Sequence, residues 1–154
     1  MRLDRAWIAA HIPHQGAMCL IDEVTAWTDS EIRCRTASHR LKSNPLRTAD
    51  CLRSECGIEY AAQAIAIHGA LCAPPLARAG VPGMLASARD VVAHVARLDD
   101  VYGNMLIHAS RVGGDATALL YVFSIADEVK TLLAGRATIV LRPPTARSTD
   151  GASL

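Results

Sequence analysis

Between Cys56 and Ala73 the chain reads CGIEYAAQAIAIHGALCA, a run in which only Glu59, Gln63 and His68 are markedly polar. Wound as a helix, it has no face that suits water. A helix apolar all round is a buried one, so the rest of the chain has to be spent on covering it. The charge at Glu59 then needs a reason. A carboxylate on a buried helix loses several kcal/mol of hydration unless it is paired, protonated or used.

The chain of 154 residues is enough for one domain with a real core. Apolar residues make up 51% and charged residues 20%, which excludes disorder. A formal net charge of +1 argues against a nucleic-acid binder. Charge is uneven locally. Arg33, Arg35, Arg40, Lys42, Arg47 and Arg53 face only Glu31 and Asp50 over the same stretch. That stretch is either a solvated basic face or a docking surface for an acidic partner. Five cysteines without a CxxC pair suggest buried free thiols rather than a disulfide framework or a zinc knuckle. The N-terminus lacks the apolar core of a signal peptide, and no charge-free run reaches membrane-spanning length. These features lead us to expect a cytoplasmic protein with no membrane span.

Residues 4–11 suit a short helix stopped by Pro13, and Met18–Trp27 suits a strand. Thr28-Asp29-Ser30 is a turn signal, and Glu31–Ala37 continues as the second arm of a hairpin. Residues 38–53 are polar and irregular, broken by Asn44-Pro45. The long helix ends between Gly69 and Pro74, where Pro74-Pro75 cannot continue it. After a loop through Gly80 and Pro82, strands are expected at Leu85–Leu98, Met105–Val112, Ala116–Ile125 and Lys130–Leu141. Residues 1–142 then form one domain and 143–154 a flexible C-terminal tail. One buried helix and five or six strands joined by tight turns predict an α+β fold with an antiparallel sheet curled around the helix. One sheet cannot enclose every side of that helix, so a second subunit is expected to close it.

Two motifs carry a resemblance. Ile12-Pro13-His14-Gln15-Gly16-Ala17-Met18-Cys19-Leu20-Ile21-Asp22-Glu23-Val24 resembles the Pro-His segment that opens bacterial β-hydroxyacyl-acyl carrier protein dehydratases. Ile58-Glu59-Tyr60-Ala61-Ala62-Gln63 resembles their central-helix motif, which bears the catalytic carboxylate. The resemblance spans roughly residues 8–142 and implies the hotdog fold, with paired protomers and shared sites. One motif departs from the pattern. The family's usual histidine stands fourteen residues before the carboxylate, where this chain has Pro45. The closer likeness is to a divergent, dehydratase-like branch that includes proteins of aryl-polyene and related polyketide-like lipid synthesis.

The resemblance implies that Glu59 handles a proton during dehydration of a 3-hydroxyacyl thioester carried on acyl carrier protein or coenzyme A. Such chemistry needs a base beside the carbonyl, an acid at the leaving hydroxyl and donors to the enolate-like oxygen. His14 is the candidate partner; the alternative is that it only hydrogen-bonds backbone where the chain enters a strand. Gln63, one helical turn past Glu59, is placed to orient the carboxyl group. Backbone N–H groups from Ser54 to Gly57 are candidates for the thioester oxygen. Asn44, Ser54, Gly57 and Gln63 are thus the expected substrate-binding residues. His68 is half a turn out of phase with Glu59 and should point elsewhere. A metal site at His11-x-x-His14 with Cys19 lacks a second ligand pair, so no metal or other cofactor is expected. Two alternatives remain open. One is an acyl thioesterase on the same fold. The other is a catalytically weak subunit that pairs with an active dehydratase, as a homodimer, higher oligomer or heteromer.

Overall fold

The computed structural model describes residues 3–73 and 83–141. Pro74, Pro75, Gly80 and Pro82, and the expected C-terminal tail, lie outside the described residues. The chain opens with strand β1 (Leu3–Asp4) and helix α1 (Arg5–His11). Asp4 caps that helix, its Oδ1 accepting from the Trp7 N–H at 3.1 Å. Strands β2 (Glu23–Trp27) and β3 (Glu31–Thr36) form the expected hairpin, and α2 (Gly57–Cys72) is the long helix. Strands β4 (Gly83–Ala93), β5 (Met105–Gly114), β6 (Ala118–Ala126) and β7 (Thr131–Leu141) follow. All pairings are antiparallel in the order β1-β2-β3-β5-β6-β7-β4, so the described residues form one seven-stranded sheet around α2. This is the α+β hotdog arrangement.

Alternation puts one side of each central strand into the core. Met105, Ile107 and Ala109 of β5 are buried, as are Tyr121, Phe123 and Ile125 of β6. They meet Tyr60, Ala64, Ile65 and Ile67 of α2 in one cluster. Leu106, Leu120, Val122 and Val140 lie on the other face and are exposed. The edge strand β4 bonds only to β7 among the described residues, and its Met84, Leu85 and Val92 are exposed.

Among the boundaries that differ from the sequence reading, three do so because a polar group has another partner. No strand begins at Met18. Gly16–Met18 is a 3₁₀ turn, and the Met18 carbonyl and Leu20 N–H bond the Gln63 side chain instead of a neighbouring strand. Strand β4 ends at Ala93 rather than Leu98, because the chain leaves β7 there to brace the approach to α2. The Ala96 carbonyl accepts from Ser54 N–H and the Leu98 N–H donates to the Leu52 carbonyl. Strand β6 begins at Ala118, since the Asp115 carboxylate holds a tight turn by accepting from the N–H groups of Thr117 and Ala118.

Two histidines are locked into the core in neutral form. A carbonyl only accepts, so His68 Nε2–H donates to Thr28 O at 2.9 Å, and Nδ1 accepts from the Tyr121 hydroxyl at 2.7 Å. His39 Nε2–H donates to Val101 O at 3.1 Å. Burial holds both rings below the ordinary histidine value. The unfolded chain therefore takes up more protons once pH falls below about 6.5, and stability is lost as pH continues down toward the lowered folded values. The thermal midpoint is expected to be highest above about pH 6.5 and lower at about pH 5.5. A midpoint that is flat or rises on acidification would contradict the neutral, hydrogen-bonded state of these rings.

Candidate active site

Glu59 lies in the first turn of α2, at the wall of a cavity rather than in the packed core. Gln63, one turn further on, is fully buried and uses its whole amide. Its Oε1 accepts from Leu20 N–H at 3.0 Å, and its Nε2 donates to Met18 O at 2.8 Å and to Glu59 Oε1 at 3.2 Å. The carboxylate is thereby tied to the loop that follows His14.

His14 reaches the same oxygen. Its Nε2 lies 3.1 Å from Glu59 Oε1, and the two side chains keep 25% and 34% of their exposure. The other ring nitrogen, Nδ1, is buried and has no hydrogen-bond partner. An orphaned N–H in such a place costs more than a bare lone pair, so the resting proton belongs on Nε2, donated to the carboxylate. Glu59 Oε1 thus receives two donors, whereas Oε2 has no hydrogen-bond partner among the described residues. The two motifs read from the sequence meet at one atom.

The cavity next to this pair measures about 470 Å³, within the range of small-molecule sites. His14 and Glu59 line it, as do Ala62, Ala66 and Gly69 along α2 and Tyr121 on β6. Most of the wall is apolar, with His11, His14, Glu59 and Tyr121 as its polar residues.

The remaining predicted residues lie elsewhere. Asn44 is buried and fully engaged: its amide donates to Ser38 O and to the Tyr60 hydroxyl, each at 3.0 Å, and its Oδ1 accepts from Leu46 N–H at 2.9 Å. Ser54 is also buried, and its N–H goes to Ala96 O. At a 3₁₀ turn over Ser54–Cys56, the Cys56 N–H is taken by the Arg53 carbonyl and the Gly57 N–H by carbonyls of the turn itself. The expected donor set at the helix start is therefore largely spent, because that turn continues into α2 and leaves few N–H groups open. Gly57 is there for packing, since a Cβ at that position would come within 2.6 Å of Leu133 Cδ2. Asn44, Ser54 and Gly57 do not line the cavity, and Gln63 acts behind Glu59 rather than in it.

His68 points away from Glu59, as its phase on the helix requires. His11 stacks on Trp7 and donates Nδ1–H to Trp7 O at 2.7 Å. Cys19 is buried, and burial raises its thiol pKa. Arg47 of the basic stretch is occupied with the Asp50 carbonyl and lies 3.9 Å from Asp99. Pro45, at the usual histidine position, is exposed. On the outer face of the sheet, Ser110, His108 and Glu31 lie together, but serine and glutamate both approach His108 Nε2, at 3.3 and 2.9 Å. A nucleophile and its orienting acid need opposite ring nitrogens, so that cluster is no relay.

A family model for ApeP dehydratase, described as ApeP-like, matches residues 6–149. Among solved structures the chain is similar to the dehydratase heterocomplex ApeI:P from Xenorhabdus doucetiae, at 20% identity over 90% of this chain and 92% of that one, with a TM-score of 0.76. It also resembles zebra fish thioesterase superfamily member 2, at 13% identity over 89% and 94% with a TM-score of 0.61. A mutant thioesterase from Staphylococcus aureus matches at 11% identity over 79% and 93%, with a TM-score of 0.58. At these identities the structural likeness shows the fold. No curated protein matches the chain.

Replacing Asn44 or Gly57 by alanine tests the assignment of these residues to packing. Asn44→Ala strips partners from buried groups and Gly57→Ala overfills the helix–sheet contact, each costing about 1–3 kcal/mol. Urea unfolding should show that loss, while the folded protein's KM for a thioester stays as in the parent. A raised KM at unchanged stability would return them to the site.

Proposed function

The chain belongs to the ApeP-like dehydratase family, and on that footing we propose that it dehydrates 3-hydroxyacyl thioesters with Glu59 as the proton carrier. The observation that carries this reading is the asymmetry of the carboxylate, with Oε1 held by His14 and Gln63 and Oε2 open. The C2–H bond breaks as Glu59 Oε2 takes its proton, and the electron pair moves into the enolate. The same proton then passes to the C3 hydroxyl as the C3–O bond breaks. Water leaves, the double bond forms between C2 and C3, and Glu59 returns to the carboxylate. His14 and Gln63 keep the carboxyl plane fixed through both transfers, which is a positioning contribution. The acyl group is carried on acyl carrier protein or coenzyme A, as expected in fatty-acid or polyketide-like lipid synthesis, and such substrates point to the cytoplasm. Among the described residues no helix is long and apolar enough to cross a membrane.

Glu59→Gln is expected to lower kcat for enoyl formation by about 10²–10⁴-fold. His14→Gln, which keeps an N–H donor, should cost less. If the two variants are equally inactive, His14 itself moves a proton and the single-carboxylate scheme is wrong. Release of free acid in place of enoyl thioester would select the thioesterase reading, in which Oε2 activates water.

A second reading has its own support. The N–H groups of Ser54, Cys56 and Gly57 are engaged within the chain, so most of the expected donors to the thioester oxygen are spent, and a donor from another segment or another subunit would complete the site. The similar complex ApeI:P is a dehydratase heterocomplex, and β4, which among the described residues pairs with β7 alone, carries exposed Leu85 and Val92 at the sheet edge, the kind of edge on which a second sheet adds. On this reading the chain works as one subunit of a heteromer, with a homodimer as the alternative. Co-expression with a related dehydratase should yield a complex that survives size exclusion and turns over faster than either subunit alone. Two independently eluting proteins with additive rates would exclude the heteromer.

A further inference from the structure

We infer that Gly69, which lines the same cavity as Tyr121, sets how long an acyl chain the cavity accepts; the inference rests on the dehydratase reading for the identity of the substrate. Gly69 is inside α2, where glycine is a poorer helix former than alanine, and no described neighbour demands it. It is exposed, and among the described residues nothing lies within 4 Å of a Cβ built there, whereas one at Gly57 would strike Leu133. The open space beside Gly69 belongs to the same cavity that Glu59 and His14 line.

Another part of the cavity wall does not yield. Tyr121 is buried, and its hydroxyl donates at 2.7 Å to His68, the residue next to Gly69, which is itself fastened to the Thr28 carbonyl at 2.9 Å. This chain of bonds pins the Tyr121 ring in the wall of the cavity that Gly69 also lines. It also accounts for two buried polar side chains that the proton transfers do not use. With one wall fixed, room for a chain depends on the residue at position 69.

Length follows from the helix. Gly69 lies ten residues past Glu59, or about 15 Å along α2. An extended chain gains about 3.3–3.6 Å for every three bonds, so roughly a dozen bonds separate the reacting carbons from Gly69. An acyl group of about four carbons ends well short of it, and one of about fourteen carbons reaches it.

The test compares the parent chain, Gly69→Ala and Gly69→Leu, each in the complex in which the parent is active. The readout is the ratio of kcat/KM for a 3-hydroxyacyl thioester of about fourteen carbons to that for one of about four. Leucine should lower that ratio at least about tenfold, with alanine between. A ratio within about twofold of the parent overturns the inference. So does a change of oligomeric state in Gly69→Leu, which would make the position a subunit contact. Calorimetry with unreactive thioether analogues of the same two lengths reads the cavity without the chemistry. If the parent does not dehydrate but leucine weakens only the long analogue, the assignment of Gly69 stands and the dehydratase reading falls. Equal weakening of both analogues overturns the assignment.

Discussion

A carboxamide buried in an apolar helix has to satisfy two N–H groups and an oxygen, and Gln63 does so with a single loop and a single neighbour. Met18 O and Leu20 N–H come from the segment between α1 and β2, and Glu59 Oε1 comes from the preceding helical turn. Breaking this set would leave several buried polar groups without partners, each costing about 1–3 kcal/mol. The loop therefore follows the helix, and His14, four residues before Met18, is delivered to Glu59 with it. The 3₁₀ turn in place of an early strand, the His14 contact and the orientation of the carboxylate are consequences of one side chain.

The same economy appears around the approach to α2. The polar stretch 38–53 looks irregular because it contributes no strand, yet its groups are committed. Asp99 accepts from Leu52 N–H and from Arg97, and the guanidinium holds its carboxyl far below the usual carboxylate range. Asn44 joins Ser38 to Tyr60. The helix start is thus fixed from both sides, which keeps Glu59 at the cavity wall. A loosely held first turn would let the carboxylate swing toward solvent, away from His14.

How much of this was legible in the sequence depends on what kind of residue carried the signal. Glu59 stood out because charge is costly on an apolar helix, Gln63 because it recurs one turn later, and His14 because it belongs to a motif. Each reading used spacing or burial, which sequence displays. The sheet was legible through alternation and turn residues, as at Asp115. The surroundings of Asn44, Ser54 and Gly57 were not legible because they depend on which carbonyl claims which N–H. Asn44 next to Pro45 looks like a loop residue open to substrate, and only the fold brings the Tyr60 hydroxyl to it. The donors at Ser54–Gly57 looked free because a helix start normally exposes N–H groups, and nothing local announces that Ala96 will take one. Likewise the positive φ of Asp90, 51°, which accompanies the bulge between Arg89 and Val92 on β4, leaves no mark in the residue types.

The exchange of histidine for Pro45 is then less of a loss than it seems from the motif alone. A dehydration needs one group to take a proton and one to give it, but the events are sequential and the proton is conserved. A carboxylate with one oxygen clamped and one free can serve both, provided that it does not rotate. Rotation is what a second titrating partner would otherwise guard against. Here His14 and Gln63 guard against it by occupying Oε1 from two directions, one from the loop and one from the helix. On the proposed mechanism, His14 serves as an orienting histidine in place of the proton-bearing one that the family pattern puts at position 45. Because most N–H groups at the helix start are spent within the chain, a donor for the thioester oxygen supplied by a second subunit would complete the same scheme.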